Sequence, residues 1–132
     1  MKFKVGDKAS VRVTVTDKMI RDFAELSGDK NPVHLDDAFA KTTRFGRRIA
    51  HGMITGALIS RALATELPGP GAVYLTQSLK FTAPVFVDEE IIIELTVLNI
   101  REEKGFLTIE TKALKADGKP AATGEALVMV QA

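Results

Sequence analysis

AHGMITGALISRALATEL, residues 50–67, is the stretch that decides the architecture. Met53, Ile54, Ala57, Leu58, Ile59, Ala62, Leu63 and Ala64 spread apolar side chains around nearly the whole circumference of a helix, and only Arg61 and Glu66 carry charge. A helix that is apolar on every side is buried on most of them. Packing it on one face of a flat layer would leave the other side bare. The pattern therefore predicts a curved antiparallel sheet wrapped around one helix, an α+β arrangement. Pro68-Gly69-Pro70-Gly71 ends the helix.

Working outward, everything after Gly71 reads as strand. Val73, Leu75, Leu79, Phe81, Ala83 and Val85 alternate with Tyr74, Thr76, Ser78, Lys80 and Thr82. Ile91–Ile100 is rich in β-branched residues, Phe106–Leu114 follows a Lys104-Gly105 turn, and Ala121–Val130 follows Asp117-Gly118, a strong hairpin signal. Upstream, Ala9, Val11, Val13 and Val15 alternate with polar residues until Thr16. There the period changes: Met19, Ile20, Phe23 and Leu26 recur at helical spacing, with Thr16 as N-cap, Asp17 in the first turn and Gly28 as the left-handed stop. Residues 29–49 read as irregular, with a short helix at Asp36–Lys41.

The chain has 132 residues, a net charge of +1, 45% hydrophobic and 27% charged residues, which suits a single globular domain over 1–132. Near-zero net charge offers no global field for nucleic acid or an anionic membrane. The absence of Cys removes disulfides, thiolate metal sites and a cysteine nucleophile. The N-terminal residues lack an apolar leader, and no apolar run approaches the ~20 residues of a span. The expectation is a soluble, cytoplasmic protein.

Asp29, Asn31 and His34 are crowded just after the first helix. Carboxylate and imidazole are common proton-transfer groups, Pro32 stiffens the backbone between them, and the Asn31 amide can orient a water. Asp-x-Asn-Pro is equally what a helix-to-loop turn uses, so spacing alone leaves both readings open. At the start of the apolar helix, the Gly52 N–H lacks an intrahelical partner and is placed to hold an oxygen that gains charge; tight packing explains Gly52 and Gly56 as well. His51 reads as a capping or packing residue. Lys41, Arg44, Arg47 and Arg48 form the only local basic cluster, a candidate for ligand phosphates or a solvated loop. With two His and no Cys, metal ligation is weakly supported. Gln77, on an apolar strand, has no assignment from sequence.

Three blocks together resemble the MaoC-like hydratase family, whose type members are the (R)-specific enoyl-CoA hydratases. They are FAELSGDKNPVH (residues 23–34) with Ala40 beyond it, Arg48-Ile49-Ala50-His51-Gly52-Met53, and Leu79-Lys80-Phe81-Thr82-Ala83-Pro84-Val85. The similarity spans about residues 5–130. One departure is Val87-Asp88, where family members often carry Gly-Asp.

The resemblance implies a hot-dog fold, a homodimer, Asp29 and His34 as a catalytic pair, Asn31 as their orienting neighbour and Gly52 N–H as thioester oxyanion donor. It further implies reversible hydration of trans-2-enoyl-CoA to (R)-3-hydroxyacyl-CoA without metal or redox cofactor, coenzyme A entering as part of the substrate. Two to three helical turns past Gly52, Ser60 and Leu63 are nominated to contact the acyl end. A dehydratase for acyl carrier protein thioesters and a non-catalytic acyl-thioester-binding protein are the alternatives; mere binding does not need both proton-transfer groups. Pairing of two copies also follows from size, because a short chain buries only about two-thirds of its unfolded surface and an open sheet leaves edges.

Overall fold

The computed structural model describes residues 1–131, and its first change of period falls at Thr16. The strand β1 (Lys8–Val15) stops there and the helix α1 (Asp17–Ser27) begins, with Thr16 Oγ1 accepting the Met19 N–H at 3.2 Å. Gly28 closes α1 in the left-handed region at φ 78°, as the sequence predicts. Ile20 and Ala24 are buried on its inner face. Leu26, expected on that face, is instead 84% exposed: the helix reaches past the core at its last turn.

The segment that reads as mostly irregular contains α3 (Asp37–Lys41), capped by Asp36, and a further one-turn helix α2 (Pro32–Leu35). Next comes α4 (Gly52–Thr65), the apolar helix, and then the strands β2 (Val73–Gln77), β3 (Lys80–Phe81), β4 (Glu89–Arg101), β5 (Phe106–Lys115) and β6 (Pro120–Met129). All pairings are antiparallel, in the order β1-β4-β5-β6-β2, with β3 on β6. The sheet is open, with β1 and β2 at its edges. Val87-Asp88 is accommodated at the turn into β4: Asp88 takes φ 67°, a region Asp tolerates better than most residues, and its N–H bonds Val15 O at 2.7 Å.

The sheet's inner face meets α4, as the apolar circumference requires. Ile91, Ile93, Leu95 and Val97 of β4 and Leu107 and Ile109 of β5 are at most 1% exposed, and they share one core with Ile54, Leu58, Ile59, Ala62 and Leu63. The cover is incomplete on one side. Met53 is 55% exposed, and Ala57 and Ala64 are exposed too, so the prediction of burial holds for most of α4 and fails along one stripe. Beside that stripe stand exposed Tyr74, Leu75 and Phe81.

The continuous alternation from Val73 to Val85 hides a break between β2 and β3 at Ser78-Leu79. Gln77 belongs to that break. Its Nε2 donates to Thr111 Oγ1 at 2.9 Å and Ser78 O at 2.8 Å, and its Oε1 accepts from Tyr74 Oη–H. Thr111 is fully buried, so Gln77 satisfies a polar group that the core would otherwise strand. Gly124 on β6 permits the same crossing, since a Cβ there would overlap the Ser78 carbonyl oxygen. No helix among the described residues is long and apolar enough to cross a membrane.

Candidate active site

Gly28 turns the chain sharply off α1, so Asp29 begins a loop that runs back past the N-terminus of α4. Asp29 N–H donates to Ser27 Oγ at 3.1 Å, and Asp29 Oδ1 accepts the Asn31 N–H at 3.3 Å. Asn31 Oδ1 accepts the Val33 N–H at 3.2 Å, capping α2, and Pro32 occupies that helix's first turn, where its missing N–H costs nothing. This short helix carries His34, 8% exposed, into the molecule. Asn31 therefore shapes the link between Asp29 and His34 through both backbone and side chain.

His34 Nδ1 lies 2.8 Å from Ile49 O. A carbonyl only accepts, so Nδ1 carries the hydrogen and Nε2 is left as the basic nitrogen. Burial pushes the His34 pKa below the ordinary 6.5 and the neighbouring His51 adds to this, while the Ile49 carbonyl and the Asp29 charge act against it. At neutral pH the ring is uncharged and able to take a proton. Donor atoms of Asp29, His34 and His51 all lie within 4.8 Å of one another.

This trio is the one metal-like cluster among the described residues, yet its geometry suits an ion poorly. His34 Nδ1 and His51 Nε2 already bond carbonyls, and the two rings are stacked at 3.9 Å with 29° between planes. In-plane lone pairs on stacked rings run side by side and do not converge on a tetrahedral centre.

Gly52 is the first residue of α4, and its N–H has no intrahelical acceptor. The Phe81 ring lies over it: a Cβ at position 52 would stand 3.0 Å from Phe81 Cε1. Asp29, His34, Gly52 and Phe81 line one cleft of about 590 Å³, with Arg44 at its wall. A second groove, about 800 Å³, shares Phe23, Met53 and Phe81 with the first and continues along α4 past Gly56 to Ser60. Ser60 thus lies along a path leading from the cleft. Leu63 does not: it is 2% exposed and packed in the core, lining neither space.

The basic cluster comes apart. Arg48 is buried, its guanidinium bonding Asp17 at 2.7 Å, Asp37 at 2.9 Å and His34 O at 3.2 Å. It ties α1, α2 and α3 together and offers nothing to a ligand. Asp17, held by Arg48 and Arg21, has its carboxyl pKa lowered accordingly. Arg47 lies over the Phe86 ring at 3.8 Å, and Arg44 alone reaches the cleft.

Sequence reading gives His51 as a capping or packing residue and names no partner for it. It caps α4 without a side-chain capping bond, and its ring instead reaches Asp29 O and stacks on His34. The available signal was a His at an N-cap, where Ser, Thr, Asp or Asn would be the ordinary choice.

A helix sheathed by a curved antiparallel sheet, with a carboxylate and an imidazole beside the helix N-terminus, defines a hot-dog protein. The chain belongs to the MaoC-like domain family, whose model matches residues 4–117. It is 46% identical over 129 residues to the (R)-specific enoyl-CoA hydratase of Rhodospirillum rubrum, covering 98% of this chain and 89% of that protein. To the enzyme of the same name from Aeromonas caviae it is 46% identical over 125 residues, covering 95% and 93%. The solved (R)-hydratase from A. caviae involved in PHA biosynthesis superposes with a TM-score of 0.96 at 44% identity, over 98% of each chain.

Proposed function

We propose that this protein is an (R)-specific enoyl-CoA hydratase: it adds water reversibly to a trans-2-enoyl-CoA and gives the (R)-3-hydroxyacyl-CoA. The observation that carries this reading is the meeting, in one cleft, of Asp29, the free Nε2 of neutral His34 and the unpaired N–H of Gly52. The identity to two curated enoyl-CoA hydratases supports the reaction class.

The chemistry follows from the groups present. With the thioester oxygen on Gly52 N–H, C3 becomes electrophilic. Asp29 and His34 hold one water between them and take one of its protons as its oxygen bonds C3. The electron pair of the double bond moves toward the thioester oxygen, forming an enolate-like species. A proton returned from the pair to C2 completes the addition, so that H and OH of a single water end on C2 and C3. The N-terminus of α4 stabilises the charged oxygen through Gly52 N–H and the aligned peptide dipoles. Asn31 fixes the loop geometry. The thioester itself acidifies C2, so neither metal nor redox cofactor is required by these steps, and coenzyme A is part of the substrate. The acyl chain is proposed to run along α4 toward Ser60; Leu63 would act there only through the packing behind that path.

The acyl carrier protein reading has support from relatives in the same family, such as the 3-hydroxyacyl-[acyl-carrier-protein] dehydratase of Arabidopsis thaliana, mitochondrial, at 34% identity. The higher identity to the coenzyme A enzymes favours coenzyme A. Loss of the conjugated thioester absorbance of crotonyl-CoA, compared with crotonyl-acyl carrier protein, tests this choice: faster turnover of the former is expected.

Two copies are proposed to pair through the apolar stripe on α4 and its neighbours in β2 and β3. Met53, Leu75 and Phe81 are 55%, 43% and 50% exposed, and their burial against a second copy removes that surface from water. Light scattering should return about twice the 14.3 kDa chain mass at micromolar concentration; a monomer would contradict the pairing.

A further inference from the structure

We propose that His51 is a positioning residue that locks the Asp29–His34 pair to the N-terminus of α4, an inference that rests on the hydratase reading. Three contacts carry it. His51 Nε2 lies 2.8 Å from Asp29 O, so Nε2–H donates and holds the loop that presents the Asp29 carboxylate. The ring stacks on His34 at 3.9 Å, fixing the plane in which His34 Nε2 points. Its backbone directly precedes Gly52, the proposed oxyanion donor. The carboxylate, the imidazole and the helix terminus thus meet at one side chain, 3% exposed and backed by the Phe23 ring at 4.9 Å.

The ring's orientation is informative. At an N-cap the side chain would ordinarily satisfy a helix N–H, yet His51 makes no such bond. Its Nδ1 is buried without a hydrogen-bond partner. An unpaired buried acceptor is unfavourable for stability, and it is tolerated here in an arrangement where Nε2 grips Asp29. The proton-exchange role is assigned to His34, which has the Ile49 carbonyl on Nδ1 and Asp29 beside it. The groups facing His34 are then complete: Asp29 from the loop, His51 from α4, the Ile49 carbonyl, and Arg48, whose guanidinium bonds the His34 carbonyl.

Two substitutions separate the contacts. His51→Gln keeps an amide N–H for Asp29 O and loses the ring; His51→Phe keeps a stacked ring and loses the donor. His51→Phe is expected to lower kcat on crotonyl-CoA by about 100-fold, the scale of a misplaced reacting group, with KM changed less than about threefold. His51→Gln should lower kcat less and move the acidic limb of kcat/KM to higher pH, because His34 loses the stacked ring that keeps water from it, and burial is the main cause of its depressed pKa. A role in core packing without a hold on His34 would shift the melting temperature and leave that limb in place.

Ring ¹⁵N spectra of the parent supply a readout independent of turnover, expected to show His51 protonated on Nε2 and His34 on Nδ1. Both variants folded, with kcat within threefold of the parent and an unmoved limb, would overturn the proposal, as would a His51 ring protonated on Nδ1. If the parent itself does not hydrate enoyl-CoA, the hydratase reading fails, and the spectra still decide the His51 contacts.

Discussion

Asp29→Asn and His34→Ala should each lower kcat on crotonyl-CoA by at least about 100-fold, the usual contribution of a positioned acid or base. The double variant should be little worse than the worse single one, because two groups that handle the same water act as a unit and their losses do not add. Asn31→Ala should cost less: it would remove the α2 cap and loosen the loop without removing a proton-transfer group. Asp29 is exposed, and its Oδ1 only accepts the Asn31 N–H, a role that an amide oxygen fills equally well. Asp29→Asn should therefore keep the parent's melting temperature. Activity of the parent should fall with acidity only below the ordinary histidine pKa of 6.5, since net depression of His34 keeps its Nε2 unprotonated to lower pH. Kinetics and thermal melts on the same preparations check all of this. A folded Asp29→Asn protein with near-normal kcat would remove the dyad from the mechanism.

Gly52→Pro should lower kcat about 100- to 1,000-fold relative to Gly52→Ala, the range found when one oxyanion donor is removed. The comparison isolates the N–H together with the ring carbons that take its place. Both variants place a Cβ against Phe81, 3.0 Å from its Cε1, so both ask the same half-exposed ring to move. Only proline lacks the N–H. Position 52 is the first of α4, where proline's fixed φ suits the helix and no intrahelical bond is lost. The preceding residue also accepts it: His51 at φ −60°, ψ 134° already has the extended backbone that proline demands of its predecessor. Equal kcat in the two folded variants would show that Gly52 serves packing alone.

The features legible in the sequence were those set by neighbours along the chain. The Asp29–His34 pair sits on one cap-and-turn unit, so its residues meet wherever that unit forms. The apolar circumference of residues 50–67 required a wrapped helix because water has to be excluded from every side. The same periodicity could not distinguish sides covered by this chain from the Met53–Ala57 side, which the sheet leaves open. Apolar spacing reports the need for cover and not its source. Leu26 misled for a similar reason: helical spacing continues to the last turn after the core has ended.

Other features depended on contacts distant in sequence. Arg48 reads as one of several surface cations until folding brings Asp17 of α1 and Asp37 of α3 beside it. Gln77 has no reason to stand on an apolar strand until Thr111 of β5 lies against it. His51 lies far along the chain from the carbonyl it holds, and no local rule connects them. The strand-like alternation through Ser78 concealed a break because periodicity records which side a residue faces and not whether its backbone is paired.

Chiral chromatography of the product formed from crotonyl-CoA tests the assignment most directly. Water held by Asp29 and His34 on one face of a substrate anchored at Gly52 predicts a single enantiomer, and the 46% identity to (R)-specific hydratases makes it (R)-3-hydroxybutyryl-CoA. A purely (S) product, or folded protein that leaves crotonyl-CoA and longer enoyl-CoA thioesters unchanged, would contradict it.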